Sequence, residues 1–336
     1  MEQRRLGAAG PTTAMIGLGC MGMSDFYGPA DEAESIATIH AALEAGITLL
    51  DTGDFYGMGH NEMLIRQALA GRDRDRVLIS VKFGALRDPA MGWNGYDSRP
   101  VALKNFLTYS LRRLGVDHID IYRPSRLDPA VPIEETVGVL ADLVQAGYIR
   151  QIGLSEVGAA TLRRAAAVHP ISDLQIEYSL ISRGIEAEIL PVCRDLGIGI
   201  TAYGVLSRGL ISGHWTPQSA AGGQDFRRHS PRFQGGNLDA NLALVEHLRT
   251  MAARLGATPA QLAIAWVAAQ GQDIVPLVGA RRRDRLAEAL GAQDVALPQA
   301  ELDELNRIFA PGVAKGGRYN EAQLAHLDSE RSGTGR

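Results

Sequence analysis

The sequence predicts an α/β fold in which eight strand–helix units close into a (β/α)8 TIM barrel behind an N-terminal β-hairpin. Three observations predict it. Short apolar runs, of the kind buried parallel strands show, alternate with helix-period segments eight times in succession. Several of these runs end on a polar or charged residue, as at Asp51 and Lys82. No linker divides the chain, so residues 1–331 read as one domain and 332–336 as a disordered tail. An open doubly wound sheet is the alternative.

Arg4-Arg5-Leu6, a Gly/Pro turn and Thr12 to Met15 form the hairpin. Ile16 to Gly19 precedes a helix over Asp31 to Ala45, with Ile36, Ile39 and Leu43 on one face. Ile47 to Asp51 leads to a helix over Asn61 to Ala70. Val77 to Lys82 leads through a long Gly/Trp-containing loop to Arg99–Leu114. Ile119 to Tyr122 pairs with Ile133–Ala146, and Ile149 to Leu154 with Ala159–Val168. Leu174 to Glu177 leads to Glu186–Leu196, and Gly199 to Tyr203 to a helix over Asn241–Leu255. Ile274 to Val278 leads to Asp284–Leu290. Extra helices follow strand seven (Thr258–Ala269, with a Thr-Pro start) and end the chain (Gln299–Phe309). Trp215 to Asn237 is too long for a plain connection and reads as a mobile flap.

Composition narrows the function. The 336 residues are 46% hydrophobic and 21% charged, enough for a large core. A net charge of −4 without a basic run disfavours nucleic acid. Two cysteines fit a reducing cytosol, and no apolar stretch reads as a signal peptide or a membrane span. The expectation is a soluble cytoplasmic protein of open oligomeric state.

In a barrel every strand ends at one mouth. The ends are Gly17–Met21, Asp51 with Tyr56, Lys82, Ser125, Ser155 with Glu156, Gln175, Tyr203 and Gly279–Arg281. Singly, each has an ordinary explanation: a capping Asp, a solvated Lys, a packed Tyr. The combination carries the case. There is no metal-ligand cluster, no nucleophile elbow and no phosphate loop of the Walker type. A tyrosine beside an ammonium has its pKa lowered toward use as an acid, with Asp51 holding Lys82 charged and in place. That chemistry suits carbonyl reduction, with Tyr56 protonating the oxygen while hydride reaches carbon.

Leu18-Gly19-Cys20-Met21-Gly22-Met23-Ser24, Asp51-Thr52-Gly53-Asp54-Phe55-Tyr56-Gly57, Gly153-Leu154-Ser155-Glu156, Gln175-Ile176-Glu177-Tyr178 and Ala202-Tyr203-Gly204-Val205-Leu206-Ser207-Arg208 follow one another in order. Together they resemble the aldo-keto reductases over essentially the whole chain, in the branch near potassium-channel β subunits and pyridoxal reductases. The resemblance implies an NADP(H)-dependent oxidoreductase acting on a small-molecule carbonyl, reversible as an alcohol dehydrogenase. It puts Asp51, Tyr56 and Lys82 on three of four catalytic positions, with Tyr56 the general acid. Gly22, Met23 and Asp51 then face the cofactor, Ser155 and Gln175 meet its carboxamide, and Tyr203 stacks on the nicotinamide. Gly204, Val205, Leu206, Ser207 and Arg208 extend that surface. Gly279, Ala280, Arg281 and Arg285 resemble the adenosine-phosphate grip, where the two arginines favour NADP(H) over NAD(H). Glu288 matches an adenine contact.

Two departures stand out. Glu156 stands where many relatives have Asn. In Tyr122-Arg123-Pro124-Ser125-Arg126-Leu127-Asp128-Pro129, Ser125 aligns with the fourth catalytic residue, a histidine that polarises the carbonyl. Losing one such donor costs roughly 3 kcal/mol, on the order of a hundredfold in rate. A second reading is therefore a low-turnover NADP(H)-binding regulatory or sensor protein. A barrel isomerase or aldolase with Lys82 as Schiff base is a third. Phe26, Tyr27, Trp93 and Phe226, with Tyr56, are candidates for an apolar substrate pocket or ordinary loop packing. His60 is a possible substitute donor, and His118 is structural.

Overall fold

In the computed structural model of the chain, residues 1–216 and 225–331 are described, Phe226 by its backbone alone. The expected tail at 332–336 and the centre of the expected flap, 217–224, lie outside the described residues. Strands β1 (Gln3–Arg5) and β2 (Thr12–Ala14) pair as an antiparallel hairpin. Then come β3 (Gly17–Gly19), α1 (Glu32–Glu44), β4 (Leu49–Gly53), α2 (His60–Ala68) and β5 (Leu78–Phe83). A small hairpin, β6 (Ala85–Arg87) with β7 (Trp93–Tyr96), precedes α3 (Pro100–Leu114). There follow β8 (Ile119–Pro124), α4 (Ile133–Gln145), β9 (Ile149–Ser155), α5 (Ala159–Ala166), β10 (Asp173–Glu177), α6 (Ile189–Asp195) and β11 (Gly199–Tyr203). The chain ends with α7 (Gly235–Arg254), α8 (Pro259–Ala269), β12 (Ile274–Gly279), α9 (Arg283–Leu290), α10 (Gln299–Ile308) and α11 (Glu321–Leu324).

Among the described residues eight parallel strands, β3, β4, β5, β8, β9, β10, β11 and β12, pair in that order and close as β12 meets β3. The barrel expectation holds; α7 is the helix that follows the seventh barrel strand, and α8 and α10 are the two extra helices expected. Side chains alternate across a strand, so every second residue shares the barrel interior. At the bottom, Leu49, Ile121 and Val275 cluster with Leu6 of the hairpin, all fully buried. Two residues further up, the same faces carry Asp51 above Leu49 and Arg123 above Ile121. The interior thus changes from an apolar floor to a polar mouth. Arg4 latches the hairpin underneath, donating to the carbonyls of Ala268 and Ile274 at 2.8 Å each.

Three boundaries differ from expectation. Helix α7 starts at Gly235 rather than Asn241. Gly235 and Gly236 are weak helix formers, and tertiary anchoring overrides them: Asn237 donates to Pro231 O at 3.1 Å. Helix α6 begins at Ile189 rather than Glu186, because Pro191 suits only a first turn. The segment read as one flap is built from residue 225 onward, with turns at Phe226–His229 and Pro231–Phe233. Arg232 anchors it, donating to Ser182 Oγ and Ile181 O at 2.7 Å each.

Candidate active site

Asp51 is the middle residue of β4, which runs two residues past the strand end expected there, and Lys82 lies near the end of β5, in register so that Gly53 faces Lys82. Lys82 Nζ donates to Asp51 Oδ1 at 2.5 Å, with both side chains buried. The other carboxylate oxygen, Oδ2, accepts from Ser80 Oγ at 2.9 Å and Gln175 Nε2 at 2.7 Å. Gln175 therefore braces Asp51 in this structure rather than standing free for a carboxamide. Burial pulls the Lys82 ammonium below its ordinary value, although Asp51 opposes this.

Tyr56 lies in the loop after β4, where Gly57 adopts φ 56° and Met58 φ 50°, a tight left-handed passage. Its ring lies 5.1 Å, centroid to nitrogen, from Lys82 Nζ. The lowered pKa expected of a lysine neighbour is not what results. Burial, then the Asp51 charge, raises the phenol well above its ordinary value. A low-dielectric wall outweighs a cation already paired with a carboxylate.

Ser125 follows β8, its backbone N–H held by Phe83 O at 2.8 Å. The residue is 2% exposed, and Oγ has no hydrogen-bond partner among the described residues. Beside it, Arg126 is half-buried and donates through Nη1 to Ser125 O at 2.6 Å, with a long contact to Ser155 Oγ at 3.5 Å. The sequence marked Ser125 and passed over Arg126, although the adjacent guanidinium was there to be weighed.

The adjoining wall, after β9, is tied to the C-terminal segment. Glu156, at φ 54°, is fully buried and receives Arg318 Nη2 at 2.6 Å and Nη1 at 2.8 Å. Burial pushes its carboxyl up, but the Arg318 guanidinium outweighs this and holds it well below the usual carboxylate range. Tyr203 donates to Glu156 Oε1 at 2.7 Å, and its hydroxyl meets that of Tyr319 at 3.0 Å. Arg208 lies 4.5 Å over the Tyr319 ring. Arg318 and Tyr319 escaped sequence reasoning because their partners lie over a hundred residues away.

Along the third side, Gly22 and Met23 form a turn after β3, and Gly204, Val205, Leu206, Ser207 and Arg208 follow β11. Gly279 ends β12 with nothing within 4 Å of where a Cβ would stand. After Ala280, Arg281 Nη1 donates to the carbonyls of Tyr27, Gly28 and Pro29 at 3.0–3.2 Å, with no carboxylate in salt-bridge range among the described residues. Arg285 reaches Glu288 at 3.2 Å on α9, and Glu288 also meets His214 at 2.7 Å.

The aromatic candidates divide. Phe26 stacks on Trp93 at 5.9 Å and meets Tyr56 edge-on at 6.0 Å. Tyr27 stands instead under Arg227, at 5.5 Å. The side chain of Phe226 lies outside the described residues. His60 meets Ser24 Oγ at 2.8 Å and Glu32 at 3.6 Å, an exposed pairing away from the ion pair. His118 precedes β8 at the barrel floor, against Asp117.

A closed parallel barrel with an ion pair, a phenol and a partnerless hydroxyl gathered at one mouth defines an enzyme-type barrel. Known proteins agree on which. Residues 15–310 match the model of the Aldo/keto reductase family. A "Probable aldo-keto reductase 1" of Glycine max is 42% identical over 318 residues, covering 94% of this chain and 91% of its own. The glycerol dehydrogenase AKR11B4 of Gluconobacter oxydans superposes with a TM-score of 0.83 at 27% identity, covering 99% of this chain and 98% of that one. The holo form of the aldo-keto reductase AKR11C1 of Bacillus halodurans gives 0.77 at 25% identity over 96% and 99%. The chain belongs to the aldo/keto reductase family. Membership implies oxidoreductase activity with NAD(P)H, and a small-molecule carbonyl substrate is consistent with it. No helix among the described residues is long and apolar enough to cross a membrane, and no group of three or more His, Cys, Asp or Glu could hold a metal.

Proposed function

We propose that this chain is an NADP(H)-dependent carbonyl reductase, reversible as an alcohol dehydrogenase, with Tyr56 as general acid. The observation that carries the reading is the buried Asp51–Lys82 pair beside the Tyr56 ring at the strand ends. The groups around the mouth fit a dinucleotide. Gly279 leaves open space for close approach, and Arg281 offers a cation without a carboxylate partner for a 2′-phosphate, near Arg285. Ser155, Tyr203 and the Gly204–Arg208 turn supply the nicotinamide end, with Gly22 and Met23 below it. Bound there, the cofactor supplies the hydride.

The protein's own work is proton delivery and orientation. Burial keeps the Tyr56 phenol protonated, so it gives up its proton only to a strong base. A developing alkoxide is such a base, and a neutral carbonyl is not. Proton transfer is thereby tied to hydride arrival. Lys82 stands close enough to stabilise the phenolate left behind, and Asp51, braced by Ser80 and Gln175, fixes the ammonium. Ser125, in the position aligned with the family's histidine, presents a buried hydroxyl with no partner among the described residues, a donor for the substrate oxygen.

The test is NADPH oxidation at 340 nm with a panel of aldehydes and ketones, comparing wild type with Tyr56→Phe. Turnover is expected in the wild type and a loss of at least a hundredfold in the variant. Equal rates would remove Tyr56 from the mechanism. NADPH binding without turnover of any carbonyl would favour the sensor reading, for which Ser125 and the Arg318–Tyr319 cover over Tyr203 are the observations.

A further inference from the structure

Four cations around the mouth have carboxylate partners, whereas half-buried Arg126, beside the Asp51–Lys82 pair, has none among the described residues. Lys82 holds Asp51 at 2.5 Å, Arg123 holds Asp173 at 3.0 Å, Arg208 reaches Glu177 at 3.4 Å and Arg318 holds Glu156 at 2.6 Å. Arg126 makes no ion pair within 4.0 Å among the described residues. Among the described residues its hydrogen bonds run from Nη1, to Ser125 O and Ser155 Oγ, and Nε and Nη2 have no partner. A guanidinium presents five donors in a planar fork that matches a carboxylate. Burial opposes its charge, but Tyr203, Tyr319 and Glu156 keep it firmly protonated. The same charge is felt by Tyr56 and Lys82, which places Arg126 within electrostatic reach of the acid. Next to it stands the partnerless Ser125 hydroxyl, 2% exposed. Two independent donors thus stand uncommitted side by side at the mouth.

We infer that Arg126 is a substrate-binding residue, and that the preferred substrate is an aldehyde or ketone that carries a carboxylate, gripped by the free edge of the Arg126 guanidinium while Ser125 donates to the carbonyl oxygen. The fork compensates for the shorter reach of a serine: a substrate held at its carboxylate needs less orientation at its carbonyl. It also selects, because a neutral substrate leaves a half-buried cation unpaired. The kinetic arm of the test rests on the reductase reading above; the binding arm does not.

The experiment pairs 3- and 4-carboxybenzaldehyde with their methyl esters, which match them in shape without the charge. Wild-type kcat/KM is expected to favour an acid over its ester by on the order of tenfold to a hundredfold, chiefly through KM. In Arg126→Met the acid-to-ester ratio collapses to about one, and Arg126→Lys restores part of it. Calorimetry with benzoate and benzamide, with and without NADPH, reads the same contact without turnover. Benzoate is expected to bind wild type at least tenfold tighter than benzamide, and Arg126→Met with no preference. Acid and ester reduced equally by wild type, with benzoate no better than benzamide, would overturn the inference and leave the reductase standing. Turnover of no aldehyde, with benzoate still preferred in an Arg126-dependent way, would sink the reductase and keep the anion site. A variant that loses acid and ester alike, or loses NADPH affinity instead, would overturn it too, since Arg126 would then serve the fold or the cofactor.

Discussion

Lys82 and Arg126 are both cations at the mouth, and they are held in opposite ways. Lys82 is buried against Asp51 at 2.5 Å, its partner braced in turn by Ser80 and Gln175. Arg126 leans on a backbone carbonyl and keeps most of its fork unused. A cation committed to a carboxylate has little attraction left for a ligand. An uncommitted one reads charge. Pairing, rather than residue type, separates the two roles.

Breaking the committed pair has the largest expected effect. Lys82→Met leaves Asp51 buried with two neutral donors, and removing one partner of a buried pair costs about 3–5 kcal/mol. The urea unfolding midpoint should fall accordingly, with carbonyl reduction lost. An unchanged midpoint would show that the pair is not structural. Glu156→Gln comes next, removing the carboxylate that occupies Arg318 and supports the charge of Arg126. Glu156 titrates below its ordinary 4.5 in the folded protein, so its contribution to stability is complete above that pH and is lost as pH falls through the folded value. Wild type should therefore lose more of its unfolding free energy between pH 7 and pH 3 than the variant does; parallel curves would refute this.

The smallest effect concerns a carboxylate with the opposite shift. Asp54, two residues before Tyr56, is raised to about 8 by burial and by the neighbouring Glu62 charge, and its Oδ1 has no partner among the described residues. A raised folded value means stability that is complete below its ordinary 3.8 and is lost as pH rises toward and through about 8. Asp54→Asn should leave Tm little changed near pH 3.5 and raise it at pH 8.5. A rise of equal size at both pH values would point to packing instead.

The barrel was legible because short apolar runs and 3.6-period helices write their burial into local sequence, as β4 does, buried at every position. The hairpin of β6 and β7 was not, since its strands of three and four residues are mostly half-exposed. In the site, Asp51, Lys82, Ser125 and Tyr203 could be found because strand ends converge on one mouth. The direction of the Tyr56 shift could not, because it depends on how completely the loop around it excludes water. Nor could the pairing of Glu156 with Arg318, 162 residues apart, or the solitude of Arg126. A sequence shows which charges exist, whereas the fold decides which of them cancel.

Leu6, tucked under Leu49, Ile121 and Val275 and latched by Arg4, makes the barrel a blind well rather than a tube. With its floor dry, the ion pair's electric field is not bled away from below, so whatever covers the mouth governs how strongly Lys82 and Tyr56 feel each other. A hairpin at the far end of the molecule, touching neither side chain, thereby acts as insulation beneath them.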